Sequence, residues 1–361
     1  MSAKVTICLP TFNRAVSLRR AIHALLGQTF ADFELIVCDD ASVDDTPAVV
    51  RSFGDPRIRY VCNTANLGLY ANWNIGIDLA QGDYVAIYHD HDVYLPTIVE
   101  RSVALLNRHQ AASFVHTANL GIDSLGQVVN VDIRPFPELS EGGSVVRVLA
   151  GSWHSPVMAA TTMVRREAYR RVGRYEPERY GVDCDLDMWF RLAQAGDVAY
   201  EREPQALIRA RSKGQATARF SWLQESQIIQ MRRDHLDCGL ISGGWRALVA
   251  RWKFALERDL RLTSTYLRAV LLEPSESVAL GEEVIRSGCG ALAWNTARVA
   301  RHSVVLQVLL RRLVLPYHYR RVRRLLDRRR AAAEEFVRDH PALVAYLRRS
   351  GQQCCTDQDL S

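Results

Sequence analysis

The sequence predicts an α/β protein in which a mostly parallel sheet is flanked by helices. Three short, mainly apolar runs have the length of buried strands, at residues 5–9, 34–38 and 84–88. Segments with helical spacing separate them, and the connections are short. This alternation is typical of parallel strands joined by crossover helices.

The elements follow one another in a regular order along the first hundred residues. After the first strand, apolar residues recur at helical spacing from residue 17 until Gly27, which suits a helix end. A third strand is expected at 58–61, followed by a helix through Trp73 that stops before Gly82. Beyond the strand at 84–88 we expect a helix from residue 98 and a hairpin turn at Gly126.

The chain changes character near residue 219, where strand patterns become rare and helical periodicity dominates. We therefore expect an α/β domain over residues 1–218 and a mainly α-helical C-terminal region with a short polar tail over residues 219–361. Residues 304–330 combine arginines with apolar residues in helical segments. Such helices either pack on the first domain or lie on an anionic membrane surface.

Composition excludes several classes of protein. The 361 residues are 48% hydrophobic and 24% charged with a net charge of +6, as in ordinary soluble proteins. Eight scattered cysteines without paired spacing indicate a reducing compartment. With a strand near the N-terminus and no apolar run of membrane-span length, we expect a cytoplasmic protein that can contact the inner face of the membrane. No nucleic-acid-binding motif accompanies the charge, so no nucleic-acid partner is expected.

Two aspartates follow the strand at 84–88, in the sequence His89-Asp90-His91-Asp92. In an extended segment, side chains two residues apart point the same way, so Asp90 and Asp92 are expected to present two carboxylates together. They lie where open α/β sheets bind ligands, past the carboxyl end of a strand. Close carboxylates repel unless a cation lies between them, and Mg²⁺ or Mn²⁺ suits oxygen ligands. We predict a metal–diphosphate site, with a solvated acidic turn or a zinc site using His89 and His91 as alternatives.

Four segments of the sequence form a recognisable set. The segments are residues 7–14, residues 35–46, residues 66–68 with 74–76, and residues 90–96. Together they resemble the inverting family 2 glycosyltransferases with the Rossmann-like GT-A fold, over about the first 215 residues. The resemblance implies an enzyme, of the hexosyl- or deoxyhexosyltransferase class, that uses a nucleoside-diphosphate sugar as donor. The acceptor would be a hydroxyl of a glycan, a lipid-linked compound or a small molecule.

The resemblance also implies roles for particular residues. Asp90 and Asp92 match the family's DxD motif, which binds a divalent metal, Mn²⁺ or Mg²⁺, at the donor diphosphate; such a metal stabilises charge on the leaving phosphate. Thr11, Asp39 and Asp40 are expected to bind base and ribose. The complete predicted donor site is Pro10, Thr11, Asn13, Asp39, Asp40, Asn66, Asp90 and Arg211.

The general base is expected just before a Trp-x-Arg helix, because the acceptor hydroxyl must lose its proton. Aligned on Trp189, the position of the base falls on Asp185. Cys184 stands where the family usually has Glu, so Asp183 and Asp187 remain alternatives, with Asp187 expected to face inward. Helix capping is the other interpretation of acidic residues at this position.

Two departures from the family pattern affect the donor site. Trp73 precedes Asn74, where an arginine is common, and Arg211 stands where many members have a histidine. Arg209, Arg211 and Lys213 could clamp a diphosphate or form a basic surface loop.

Two other functions compete with transfer. A sugar nucleotidyltransferase would need a glycine-rich basic loop, which residues 10–14 are not. A non-catalytic GT-A binding or assembly module would be expected to have lost Asp90, Asp92 or Asp185, and all three are present.

Overall fold

The computed structural model describes residues 3–123, 126–151 and 155–209, and in the C-terminal region residues 227–228, 230–232, 234–235 and 331–341. The strands are β1 (Val5–Thr11), β2 (Phe33–Asp39), β3 (Ile58–Cys62), β4 (Tyr84–Ile87), β5 (Val93–Tyr94), β6 (Ala112–Ile122), β7 (Val128–Asp132), β8 (Leu139–Ser140), β9 (Thr162–Arg165) and β10 (Asp197–Arg209). The helices are α1 (Ala15–Leu26), α2 (Thr46–Arg51), α3 (Leu69–Leu79), α4 (Ile98–Arg108), α5 (Gly142–Gly151), α6 (Arg166–Val172), α7 (Pro177–Tyr180) and α8 (Cys184–Ala195).

The strands form a single mixed sheet in the order β3-β2-β1-β4-β9-β6-β10-β5. The first four strands of this order are parallel, which confirms the α/β prediction for the N-terminal half. Strand β9 lies antiparallel between β4 and β6, and β10 is parallel to β6. Strand β7 pairs antiparallel with β6 around the predicted hairpin turn at Gly126.

Apolar side chains cover both faces of the sheet, because successive residues of a strand point to opposite sides. On one face, Ile7 packs in a buried cluster with residues of α1 and α4 such as Leu18 and Ile98. On the other face, Cys8 joins Trp73 of α3 and residues of α5, α6 and α8. The result is three layers, with helices on both sides of the sheet.

The register of the parallel strands positions the candidate site. Thr11 lies opposite Asp39, and Cys8 lies opposite Ile87, so the carboxyl ends of β1, β2 and β4 meet at one edge. Helix α3 covers this part of the sheet closely. A Cβ atom added to Gly76 would lie 2.9 Å from the sulfur of Cys8, so this position in α3 requires glycine.

The C-terminal region is helical where the structure describes it, at residues 227–235 apart from 229 and 233, and at 331–339. The basic segment 304–330, Arg211 and Lys213 lie outside the described residues. Within the described part of the chain, no helix is both long and apolar enough to span a membrane.

Candidate active site

The loops that follow β1 and β2 are tied to each other by hydrogen bonds. The Asn13 amide N–H donates to Ser42 Oγ, and the Val43 amide donates to Asn13 Oδ1, both at 2.8 Å. The Ala15 amide donates to Asp44 Oδ2 at 2.9 Å. Asn13 adopts a left-handed conformation with φ of 51°, which asparagine tolerates better than most residues. Asn13 therefore shapes the loop that follows β1.

Asp39, at the end of β2, is completely buried. Its Oδ2 accepts a 2.5 Å hydrogen bond from the Tyr60 hydroxyl, and its Oδ1 accepts one from the Ser42 amide at 2.9 Å. Burial raises the pKa of the Tyr60 phenol, and the carboxylate that it contacts acts in the same direction. Tyr60 therefore remains a donor that fixes Asp39 beside Thr11.

Asp40 organises a second loop. Its carboxylate accepts hydrogen bonds from Asn63 Nδ2 at 2.9 Å, from the Leu67 amide at 2.8 Å and from the Gly68 amide at 2.9 Å. The Gly68 amide also donates to Asn66 Oδ1 at 3.1 Å. Gly68 has φ of 87°, a conformation that favours glycine. Both oxygens of Asp40 thus hold residues 63–68 in place.

Residues 89–92 form a turn, which corrects the extended geometry expected from the sequence. Strand β4 ends at Ile87, and the Asp92 amide approaches the His89 carbonyl oxygen at 3.4 Å. The turn pairs His89 with Asp92, three residues later, instead of placing the two aspartates side by side. Asp90 and Asp92 are only 3% and 4% exposed, so this is not the solvated acidic turn considered above.

Asp90 is directed towards the loop after β1. Its Oδ2 accepts a hydrogen bond from Thr11 Oγ1 at 2.8 Å, and its Oδ1 lies 3.0 Å from both Arg14 Nη1 and His91 Nδ1. Burial alone would raise the pKa of Asp90. The hydrogen bond from His91, the Arg14 charge and the Thr11 hydroxyl outweigh it and hold the pKa below its usual range. Asp90 is therefore an anion that links three neighbours.

Asp92 faces the opposite part of the turn. Its Oδ2 lies 3.2 Å from His89 Nδ1, and its Oδ1 accepts a hydrogen bond from the Arg209 amide at 3.0 Å. Arg209 is the last residue of β10 and the first of the three predicted clamp residues. Its backbone connects the end of β10 to the turn.

The donor set of this turn fits a divalent cation. Ligand atoms of His89, His91 and Asp92 all lie within 4.8 Å of one another. The two imidazole rings stack with centroids 5.4 Å apart. Among the described residues, the buried His89 Nε2 has no hydrogen-bond partner. Carboxylate oxygen and imidazole nitrogen are both common ligands of transition metals.

A cluster of aromatic rings connects this turn to the segment before α8. Trp73 packs against His89 with centroids 5.5 Å apart and against Tyr175 at 5.3 Å. Asn74 fixes the backbone of Tyr175, because its Nδ2 donates to the Tyr175 carbonyl at 3.0 Å and its Oδ1 accepts from the amide at 2.9 Å. Burial raises the pKa of the Tyr175 phenol, and the negative charge of Asp185 acts in the same direction. The Asp185 carboxylate is therefore within electrostatic range of Tyr175.

The acidic residues before Trp189 have different environments. Asp183 ends a short 3₁₀ turn and is the N-cap residue of α8, but it makes no side-chain capping hydrogen bond within that helix. Asp185 lies in the first helical turn, is partly exposed, and its Oδ1 accepts from the Leu186 amide at 2.8 Å. Asp185 is thus accessible to solvent at the start of α8.

Asp187 faces inward and is 2% exposed. It accepts hydrogen bonds from Arg191 Nε at 2.7 Å and Nη2 at 2.6 Å, and its Oδ1 lies 2.8 Å from His235 Nε2. The His235 ring stacks on Phe190 with centroids 4.5 Å apart. Burial would raise the pKa of Asp187, but the His235 hydrogen bond and the Arg191 charge outweigh it and lower the pKa. Asp187 thus connects the C-terminal region to α8.

The Asp187 ion pair gives a prediction about stability and pH. The pKa of Asp187 is lower in the folded protein than in the unfolded chain, where it is about 4. The ionised carboxylate therefore contributes fully to the free energy of unfolding above about pH 4, and this contribution is lost as the pH falls through the folded-state pKa. We expect Asp187→Asn to lower the free energy of unfolding at pH 7 by about 3 kcal/mol, since Arg191 loses its partner. Urea unfolding at pH values from 7 to 3 measures the free energy of unfolding of both proteins. We expect it to decrease less with acid in Asp187→Asn than in the wild type.

A matched control is Asp78→Asn, which removes the partly exposed ion pair with Arg174. Such pairs contribute about 0–1 kcal/mol. Equal decreases in the free energy of unfolding of the two variants would contradict a stabilising role for the buried Asp187–Arg191 pair.

Comparison with known proteins identifies the family. The family model described as Glycosyl transferase family 2 matches residues 6–173. EpsE of Bacillus subtilis strain 168, which is named as a glycosyltransferase, is 30% identical over 223 residues, covering 61% of this chain and 77% of EpsE. The chain belongs to glycosyltransferase family 2. It is therefore an enzyme of the glycosyltransferase class, as the resemblance implied.

Two further proteins are similar to this glycosyltransferase. The GalNAc(5)-diNAcBac-PP-undecaprenol beta-1,3-glucosyltransferase of Campylobacter jejuni is 42% identical over 197 residues, covering 52% of this chain and 59% of that protein. The structure of S. aureus TarS residues 1–349 in complex with UDP-GlcNAc superposes with a TM-score of 0.57 at 14% identity, covering 82% of this chain and 88% of that one. The likeness confirms the GT-A fold.

Several residues of the site were not singled out from the sequence. Tyr60, Asn63 and Tyr175 hold Asp39, Asp40 and the aromatic cluster, respectively. Arg14 belongs to the segment that resembles the family, but the sequence pattern gives it no role. Its position one residue after Asn13, in the loop that reaches the end of β4, was the available signal.

Proposed function

We propose that this glycosyltransferase is metal-dependent and inverting, and that it moves a sugar from a nucleoside-diphosphate sugar to a hydroxyl group. The observation that supports the proposal best is the cluster of His89, His91 and buried Asp92, with Asp90 bonded to His91, at the carboxyl edge of the parallel strands. A diphosphate needs cationic neighbours, and this edge offers a cation site together with the Arg14 guanidinium.

The donor is held, in this proposal, by the loops after β1 and β2. Thr11 and Asp39 lie opposite each other at the strand ends, and buried Asp39 acts by fixing the loop after β2 through the Ser42 amide. Asp40 acts indirectly by fixing the loop that contains Asn66. The diphosphate extends from there towards Arg14 and the 89–92 turn, and Arg211 follows Arg209 in the chain as a further candidate.

The reaction is a single displacement. The acceptor oxygen attacks the anomeric carbon while the bond from that carbon to the diphosphate oxygen breaks, and the acceptor proton passes to the Asp185 carboxylate. Because attack and departure occur on opposite faces of the sugar, the configuration at the anomeric carbon inverts. A divalent cation held by residues of the 89–92 turn would stabilise the charge on the leaving diphosphate. Trp73 and Tyr175 are buried, and Trp73 packs against both His89 of the turn and Tyr175.

We infer that the acceptor is a lipid-linked glycan. The Campylobacter jejuni relative is named for a glucosyl transfer to an undecaprenol-diphosphate-linked glycan. Residues 304–330 contain many arginines among apolar residues, as expected for a segment that meets an anionic membrane surface.

This proposal predicts salt-sensitive binding of the full chain to anionic vesicles. Each basic residue close to an anionic leaflet contributes about 1 kcal/mol, so several together suffice for peripheral association. Co-sedimentation with phosphatidylglycerol vesicles should retain the protein at low salt and release it at high salt, while neutral vesicles should retain little. Failure to bind anionic vesicles at low salt would rule out the membrane interaction.

Incubation with a panel of nucleotide sugars and Mn²⁺ tests the donor assignment. UDP-linked sugars are the first choice, and release of nucleoside diphosphate should depend on the added metal. Release without metal dependence would contradict the proposed metal role. Release of inorganic diphosphate from a sugar phosphate and a nucleoside triphosphate would instead indicate a nucleotidyltransferase.

A further inference from the structure

The three polar groups around Asp90 leave this carboxylate poorly placed to bind a cation directly. Its oxygens already contact Thr11 Oγ1, Arg14 Nη1 and His91 Nδ1 at 2.8 to 3.0 Å. The Arg14 guanidinium would repel a second cation bound to the same oxygen, because like charges at this distance oppose each other strongly in a buried site. The cation is therefore expected on the other part of the turn.

The His91 ring has the arrangement typical of a metal ligand. Its Nδ1 lies 3.0 Å from both the Asp90 carboxylate and Arg14 Nη1, so these contacts are on one side of the ring and leave Nε2 for a metal. Histidines that bind metals almost always donate their other ring N–H to a carboxylate or carbonyl, and this bond fixes the tautomer and the ring orientation. Asp90 thus fits the role of a carboxylate that orients a metal-binding imidazole.

The His89–Asp92 pair has the spacing of two neighbouring metal ligands. His89 Nδ1 and Asp92 Oδ2 are 3.2 Å apart. Two ligands at right angles around a cation, each about 2.1 Å from it, are separated by about 3.0 Å. The Arg209 amide and the Trp73 ring fix the two side chains from either side.

We propose that His89, His91 and Asp92 hold the cation, that Asp90 is a positioning residue, and that the site selects Mn²⁺ and related transition metals over Mg²⁺. The inference rests on the proposed function and assigns the ligands of its metal. Imidazole nitrogen suits transition metals, whereas Mg²⁺ prefers oxygen ligands and retains its water. A ligand set with two imidazole nitrogens therefore prefers transition metals such as Mn²⁺ to Mg²⁺.

Pulsed electron paramagnetic resonance of Mn²⁺ bound to the full chain tests the ligand set directly. We expect ¹⁴N coupling from imidazole in the wild-type protein and in Asp90→Asn. The coupling should weaken in His91→Gln and disappear in the His89→Gln/His91→Gln double variant. The control is His109→Gln, which removes a histidine paired with Glu138 at the end of α4 and should keep the full coupling.

Calorimetric titration of the same proteins with Mn²⁺ and Mg²⁺ provides the affinities. We expect the wild type to bind Mn²⁺ at least about 10-fold more tightly than Mg²⁺, and His91→Gln to lose most of this preference. His91 is partly exposed, so its replacement should preserve the thermal unfolding temperature. Absent ¹⁴N coupling, or equal affinities for the two ions, would overturn the inference even if the enzyme turns over a donor. A wild type that binds Mn²⁺ through nitrogen but releases no nucleotide from any donor would contradict the proposed function instead.

Discussion

Replacing Asp185 by asparagine is expected to leave donor binding intact while slowing sugar transfer by about 100-fold or more. An asparagine cannot accept the proton of the acceptor hydroxyl, and removal of a general base usually has an effect of this size. Asp185 is partly exposed in the first turn of α8, so the substitution should not disturb the core. Initial rates of nucleotide release, compared with calorimetric binding of the donor, separate the two effects.

The matched variants are Asp183→Asn and Asp187→Asn. Asp183 caps the same helix without a side-chain capping bond, and its replacement should change the rate much less. The main expected effect of Asp187→Asn is a lower free energy of unfolding, because Arg191 and His235 lose a buried partner. Near-normal turnover of Asp185→Asn together with a large loss in Asp183→Asn would move the base to Asp183.

Replacing Asp92 by alanine is expected to abolish the metal-dependent part of donor binding. The carboxylate is 4% exposed and lies beside His89, and the only other carboxylate in residues 89–92 is that of Asp90. Asp90→Ala should have the same direction of effect, because it releases Thr11, Arg14 and His91 together. We expect Asp92→Ala to lose about 100-fold or more in Mn²⁺-dependent affinity for the nucleoside diphosphate, and Asp90→Ala about 10- to 100-fold, the scale for a residue that orients a metal ligand. Calorimetry with and without metal measures both losses.

Asp83→Asn serves as the control, since its carboxylate is 61% exposed and, among the described residues, pairs only with Lys4. It should bind the nucleotide as the wild type does. Equal Mn²⁺ dependence in Asp92→Ala, Asp90→Ala and the control would refute the metal assignment.

The local patterns of the sequence were sufficient for the elements of the N-terminal half. The strands at 84–88 and 34–38 and the helix after residue 17 appear within a few residues of their predicted limits, because burial on both faces leaves a continuous apolar run. The place of β9 between β4 and β6 could not be predicted. Its four residues carry no signal for a partner strand that lies nearly 80 residues earlier.

The candidate site was predictable in composition but less so in geometry. Alternation favoured an extended 89–92 segment, whereas a turn forms there, with the His89 amide donating to the Tyr94 hydroxyl at 2.6 Å. Asp40 resembled a nucleotide ligand, yet its partners are amides 27 and 28 residues later, which no local pattern reveals. The contact between His235 and Asp187 joins residues 48 positions apart, and no local pattern reveals it either. Contacts of this kind depend on how the chain packs in three dimensions.

The anomeric configuration of the first product tests the proposed function most directly. Proton NMR can follow the wild-type enzyme with Mn²⁺ and an α-linked nucleoside-diphosphate sugar, observing the new glycoside or, without acceptor, the sugar first released to water. Single displacement with Asp185 as base predicts that the β-anomer appears first. An α-anomer as the first product would require retention, and it would contradict the account of how Asp185 and the 89–92 turn act together.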